Sequence, residues 1–222
     1  MKSKPVLGVF LIVFLVLLID QTSKIWVKTH MFYGQEFSIL NLDWAKIHFV
    51  ENEGMAYGKV IGGKYGKLFL SLFRVAACVG LVYYIRFLIK SKVKWGMLVS
   101  FALILAGALG NILDSAFYGL IFSSSPIHGA NIASIFPEGG GYAPFLYGKV
   151  VDMLHFPMLS GIYPSWIPFV GNQPYTFFSP VFNIADAAIS IGVFNIILFQ
   201  RDFFTKEKEV QETTQGISEQ NQ

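Results

Sequence analysis

The stretch WGMLVSFALILAGALGNILDSAFYGLIF, residues 95–122, is apolar throughout and carries a single charge, Asp114. A helix needs ~20 apolar residues to cross ~30 Å of hydrocarbon, and this run is long enough. Three other stretches read the same way. Residues 5–27 carry only Asp20 and Lys24, residues 68–89 only Arg74 and Arg86, and residues 177–199 only Asp186. The pattern predicts an all-α membrane protein of four transmembrane helices in one domain, residues 1–200. Composition agrees, since 54% of the 222 residues are hydrophobic and 14% charged, against about a quarter charged in soluble domains. A scattered net charge of +3 argues against nucleic acid. Cys78 is the only cysteine, which excludes an internal disulfide and a thiolate metal site.

Between the first two spans, residues 37–60 are rich in β-formers and partly alternate at Ile47 and Phe49, predicting a small extracytoplasmic β region. Residues 119–180 read as a long extracytoplasmic loop full of Gly, Pro and aromatics. Loops of that length are functional lids or disordered, and the aromatics argue against full disorder. Residues 201–222 read as a polar cytoplasmic tail. Basic residues cluster at Lys2 and Lys4, at Arg86, Lys90, Lys92 and Lys94, and at Arg201, Lys206 and Lys208. With four spans these places share one side, which puts both termini in the cytoplasm. Lys46, Lys59, Lys64 and Lys67 weigh against this on the opposite side. A cleaved signal peptide with a core from Val6 to Ile19 is the competing reading of the start. No small-x-small site follows it, so the segment is read as a retained helix.

An ionisable residue within a span is costly and marks a candidate functional site. Asp114 lies 19 residues beyond Trp95, roughly 28 Å of helical rise from the cytoplasmic face. Asp186 precedes Gln200 by 14 residues, roughly 21 Å. Both aspartates are expected in the outer third of the bilayer, able to face each other. Each follows an asparagine by three residues, in Gly110-Asn111-Ile112-Leu113-Asp114 and Phe182-Asn183-Ile184-Ala185-Asp186, a spacing that shares a helix face. Ala106, Gly107, Ala108 and Gly110 allow close backbone approach. Two nearby carboxyls in low dielectric tend to share a proton, which provides both a base and an acid. Spacing alone leaves open a structural hydrogen-bonding role, a transporter's proton relay and an inactive scaffold. A serine peptidase using Ser115 or Ser179 lacks an evident His or Lys to activate either.

Five motifs in order resemble those of the lipoprotein signal peptidases (signal peptidase II), bacterial intramembrane aspartic peptidases. They are Asp20-Gln21-Thr22-Ser23-Lys24, Asn52-Glu53-Gly54-Met55-Ala56-Tyr57, Gly110-Asn111-x-x-Asp114, Val151-Asp152 and Phe182-Asn183-x-Ala185-Asp186. The resemblance implies an aspartic endopeptidase that cuts diacylglyceryl-modified prolipoproteins before the lipidated cysteine. It implies a multi-pass protein of the bacterial cytoplasmic (inner) membrane, acting near the outer face among membrane lipids. It also implies no metal or cofactor and inhibition by globomycin; a monomer is expected. This sequence departs from the family in having Ser115 where an arginine usually follows the first catalytic Asp, and in the length of the 119–180 loop. Arg74 is a candidate to take over the missing arginine's role.

The catalytic candidates are therefore Asp114 and Asp186. Asn52, Asn111 and Asn183 are candidates for substrate or inhibitor binding or for orienting the aspartates. Asp20 and Lys24 read as a structural ion pair four residues apart, and Asp152 as an organiser of the loop. Gly54 and Gly110 are explained by backbone approach. His30, His48, His128 and His155 have no metal-ligand spacing and are given no role.

Overall fold

A computed structural model describes residues 3–53 and 63–200. Gly54, the remainder of the 37–60 region and the 201–222 tail lie outside the described residues. Among the described residues, three helices are long and apolar enough to cross a membrane, over Lys4–His30, Tyr65–Lys90 and Trp95–Ile121. They belong to α1 (Ser3–His30), α2 (Gly63–Lys90) and α3 (Trp95–Leu113), the last continued by a π-turn (Asp114–Tyr118) and a final turn α4 (Gly119–Ile121). Polarity is inverted relative to a water-soluble fold. Phe10, Phe14 and Leu18 on α1 and Phe73, Tyr83 and Phe87 on α2 are exposed, while Asp20, Lys24 and Asp114 are 0% exposed. Backbone groups in lipid must be satisfied internally, so apolar side chains face outward and polar ones meet inside.

The fourth apolar segment differs from its expected span of 177–199. Its helix, α5 (Ile184–Phe199), has 16 residues, about 24 Å of rise. Phe177 instead ends a strand, and Asn183 starts the helix as its N-cap. The Asn183 side chain accepts from the Asp186 N–H at 2.9 Å, and the Asp186 carboxylate accepts from the Asn183 N–H at 3.3 Å. This reciprocal capping box fixes where the helix begins. The Asn-x-x-Asp repeat therefore serves two purposes. At 111–114 it runs along the end of a helix, and at 183–186 it is the helix's first turn.

The 119–180 segment is not a structureless loop. It holds β3 (Val150–His155), β4 (Leu159–Ile162) and β5 (Pro174–Phe177), and β6 (Val181–Phe182) follows it. β1 (Glu36–Ser38) and β2 (Lys46–Asn52) precede α2. The main sheet runs β1-β2-β3-β6, all antiparallel, and β4 pairs with β5 separately. The described part of the β region read from residues 37–60 is thus half of a sheet completed by strands about 100 residues later, the register pairing Val50 with Asp152. Phe49 and Val151, both fully buried, pack with Val27, Met31, Tyr118, Phe122 and Met153. This cluster seats the sheet on the ends of α1 and α3. A second cluster, including Leu88, Met97, Ala102 and Leu105, fills the opposite end.

α3 packs against α5, α1 and α2. Its small residues set the closest approach: a Cβ at Gly107 would lie 2.2 Å from the Ala185 carbonyl oxygen, and one at Gly110 2.6 Å from Asp20 Oδ2. Gly107→Ala is expected to push α5 away from α3 and to cost about 1–3 kcal/mol, the usual range for overpacking. A lowered unfolding midpoint in detergent, measured by circular dichroism against detergent-matched wild type, checks this.

Candidate active site

The site lies between the two apolar clusters, where α1, α3, α5 and β3 converge. Asp114 opens the π-turn. Such insertions often occur at functional positions, and here the loop that follows supports it. The N–H of Gly148 donates to the Ser115 carbonyl at 2.8 Å, and that of Ala143 to the Gly119 carbonyl at 3.0 Å. Buried carbonyls that a regular helix would have used are satisfied this way. Ser115 is buried, and its hydroxyl donates to the Asn111 carbonyl at 3.0 Å rather than to a base.

Lys24 is the hub. Its ammonium lies 2.9 Å from Asp20 Oδ2 and 2.9 Å from Asp114 Oδ2, and donates to Asn111 Oδ1 at 3.0 Å. The ion pair expected with Asp20 is present, and its extension to Asp114 on another helix is the part that sequence spacing does not reveal. Asp114 also accepts from Gln21 Nε2 at 2.9 Å and from the Val151 N–H at 3.2 Å. Gln21 further donates to Asp20 and to the Gly110 carbonyl, and accepts from the Tyr118 hydroxyl. Gln21 was not singled out from the sequence. Its place three residues before Lys24, on the same face of α1, is the signal that marks it. Asp20 caps the arrangement by accepting from the Ala185 N–H at 2.9 Å, which ties α1 to the start of α5.

The second half of the network centres on Asp186, which is half-buried where Asp114 is sealed. Asn111 Nδ2 donates to Asp186 Oδ1 at 2.9 Å. Asp114 and Asp186 are thus linked by an unbroken path through Lys24 and Asn111. Asn183 donates to Asn111 at 3.2 Å and to Asp152 Oδ1 at 2.7 Å, and Asn52 donates to Asp152 Oδ2 at 3.3 Å. Asp152 therefore joins the network directly as well as ordering the sheet. Arg74 on α2 feels the charges of Asp186, Asp114 and Asp152, in that order. Of the candidate residues, Asp20, Lys24, Asn52, Asn111, Asp114, Asp152, Asn183 and Asp186 meet in one network. Arg74 is electrostatically coupled to it, Gly110 makes the close approach, and Gly54 is outside the described residues.

Burial, and next the charge of Asp186, push the Asp152 carboxyl up to about 7, against an ordinary 3.8. Hydrogen bonds from Asn183 and Asn52, and the Lys24 charge, offset part of the rise. Between about pH 4 and about pH 7 the folded protein keeps this proton and the unfolded chain has lost it. Its contribution to stability is therefore full at the acid end and is lost as pH rises through about 7. Asp152→Asn, which cannot titrate, is expected to make the fall in stability across that window shallower than in wild type. Unfolding midpoints of both proteins across the window check it.

The fold and site define a membrane protein whose buried polar residues meet between apolar helices. A solved bacterial membrane enzyme, determined by the in meso method at 2.3 Å resolution, shares the fold with a TM-score of 0.56 and 23% identity, covering 90% of this chain and 91% of that one. Residues 12–201 match the family Signal peptidase (SPase) II, and the chain belongs to that family. A lipoprotein signal peptidase of Porphyromonas gingivalis is 47% identical over 188 residues, 84% of this chain and 80% of the relative. One from Amoebophilus asiaticus is 36% identical over 216 residues, 96% and 86% of the two chains.

Proposed function

We propose that this chain is an aspartic endopeptidase that removes the signal peptide from diacylglyceryl-modified prolipoproteins, cutting before the lipidated cysteine. The observation that carries the reading is the buried polar network joining Asp114 to Asp186 within an otherwise apolar helix bundle. One carboxylate removes a proton from water as its oxygen attacks the scissile carbonyl. The other carboxyl gives its proton to the departing amine, so the pair exchanges roles without a covalent intermediate. Asp114 carries the Lys24 ammonium, the Gln21 amide and the Val151 N–H on its oxygens, which fix its orientation. Asp186 is oriented by the Asn111 amide and the Asn183 N–H. Arg74 stands in for the arginine that Ser115 replaces, and Asn52 and Asn111 hold the substrate backbone.

The protein acts in the bacterial cytoplasmic membrane with both termini cytoplasmic and the site near the outer face, where a lipid-anchored cysteine resides. It acts as a monomer and is blocked by globomycin. The test uses purified protein and two precursors of identical sequence, one diacylglyceryl-modified and one not. Mass spectrometry is expected to find cleavage only of the first, with the lipidated cysteine at the new N-terminus, and none with globomycin present. Equal cleavage of the unmodified precursor, or a cut elsewhere, overturns the substrate assignment.

A further inference from the structure

Glu36, His48 and His155 lie on the adjacent strands β1, β2 and β3, outside the network around Asp114. The register explains how they meet. Glu36 is directly opposite His48, and His155 is opposite Lys46, two residues from His48. Residues two apart on a strand share a face, and diagonal neighbours across strands are within side-chain reach. One donor atom from each of the three residues falls within 4.8 Å of the others. The two imidazoles are neighbours, with ring centroids 5.5 Å apart and planes inclined at 56°.

The nitrogens themselves point to a ligand. His48 Nδ1 and His155 Nδ1 are both buried and make no hydrogen bond, although His48 Nδ1 stands 3.5 Å from Glu36 Oε2. Buried polar atoms are ordinarily satisfied, so two orphans side by side call for an explanation. The 3.5 Å separation already fits the edge, about 3.4 Å, of a tetrahedron with bonds near 2.0–2.1 Å. The remaining edges close with small rotamer adjustments.

We propose that Glu36, His48 and His155 form a binding site for one divalent transition metal, zinc by preference, on the outer sheet. Two imidazoles and a carboxylate suit zinc and disfavour magnesium or calcium, which prefer all-oxygen shells. Three protein ligands leave a fourth position for water, and His155 borders a cleft of about 690 Å³ that gives access. The occupied site staples β1 and β2 to β3, the strand that carries Val151 and Asp152 into the active site. Lys46 opposes the metal, because its ammonium holds Glu36 Oε1 at 2.8 Å. The inference rests on the sheet register and the two unpartnered imidazole nitrogens, and is independent of the peptidase reading.

The full chain, without a polyhistidine tag and freed of metal with a chelator, is titrated in detergent with zinc ion alone by calorimetry. One equivalent is expected to bind and to raise the unfolding midpoint. His48→Asn and His155→Asn are each expected to weaken binding by at least about tenfold. Lys46→Ala, which frees the carboxylate, is expected to bind more tightly, a gain that a misfolded variant does not produce. Absence of saturable binding in wild type, unchanged affinity in the double His48→Asn, His155→Asn variant, or weaker binding by Lys46→Ala overturns the proposal.

Discussion

Asp186→Asn is expected to slow cleavage of a lipid-modified precursor by about 1,000-fold, within the range for losing a general acid or base, while leaving the fold nearly intact. Asparagine at this position keeps an acceptor for the Asn111 amide. Its structural cost is half of the capping box, about 1 kcal/mol. Asp114→Asn is expected to slow cleavage as much but to destabilise more, because it removes one of the two carboxylates on a fully buried ammonium. Measuring rate and unfolding midpoint together separates the two variants. Equal, large losses of rate with unequal losses of stability are the expected signature. If the rate losses instead tracked the stability losses, these aspartates would be structural.

Lys24→Met is expected to be the most destabilising single change outside the helix contacts, by about 3–5 kcal/mol. The methionine fits the volume, but Asp20 and Asp114 are left buried without their cation. Removing one partner of a buried ionic cluster is costly because the stranded charge cannot reach water. Adding Asp20→Asn to the Lys24→Met background is expected to recover part of the loss, since one stranded charge disappears and the Ala185 N–H keeps an acceptor. Unfolding in mixed detergent micelles, followed by circular dichroism, gives the comparison. A single variant as stable as wild type would show that the ammonium contributes nothing to holding α1 against α3.

Much of this was legible in the sequence. The three long helices announce themselves because a bilayer imposes a length and an apolar composition that few soluble segments match. Asp114 and Asp186 stand out for the same reason, since a lone charge in such a run has to be accounted for. The start of α5 was misread because apolar residues from 177 onward resemble a span, whereas the Asn183 cap and strand pairing decide the boundary. The main sheet was only half visible, because β2 and β3 are joined by register rather than by proximity along the chain. The same long-range pairing hid the meeting of His48 with His155, which have no mutual spacing that sequence reasoning recognises. Gln21 was overlooked because an uncharged amide in a polar motif attracts less notice than the aspartate and lysine beside it.

The central claim is that Asp114 and Asp186 together stabilise water's addition to the scissile carbonyl. It is tested most directly with a lipid-modified precursor peptide whose scissile amide is replaced by a secondary alcohol, mimicking the tetrahedral species. Wild type is expected to bind this alcohol at least about 100-fold more tightly than the corresponding amide, as transition-state analogues do. That advantage is expected to vanish in Asp114→Asn and in Asp186→Asn alike. Equal affinity for alcohol and amide in wild type, or an advantage retained in either variant, would contradict the two-carboxylate account.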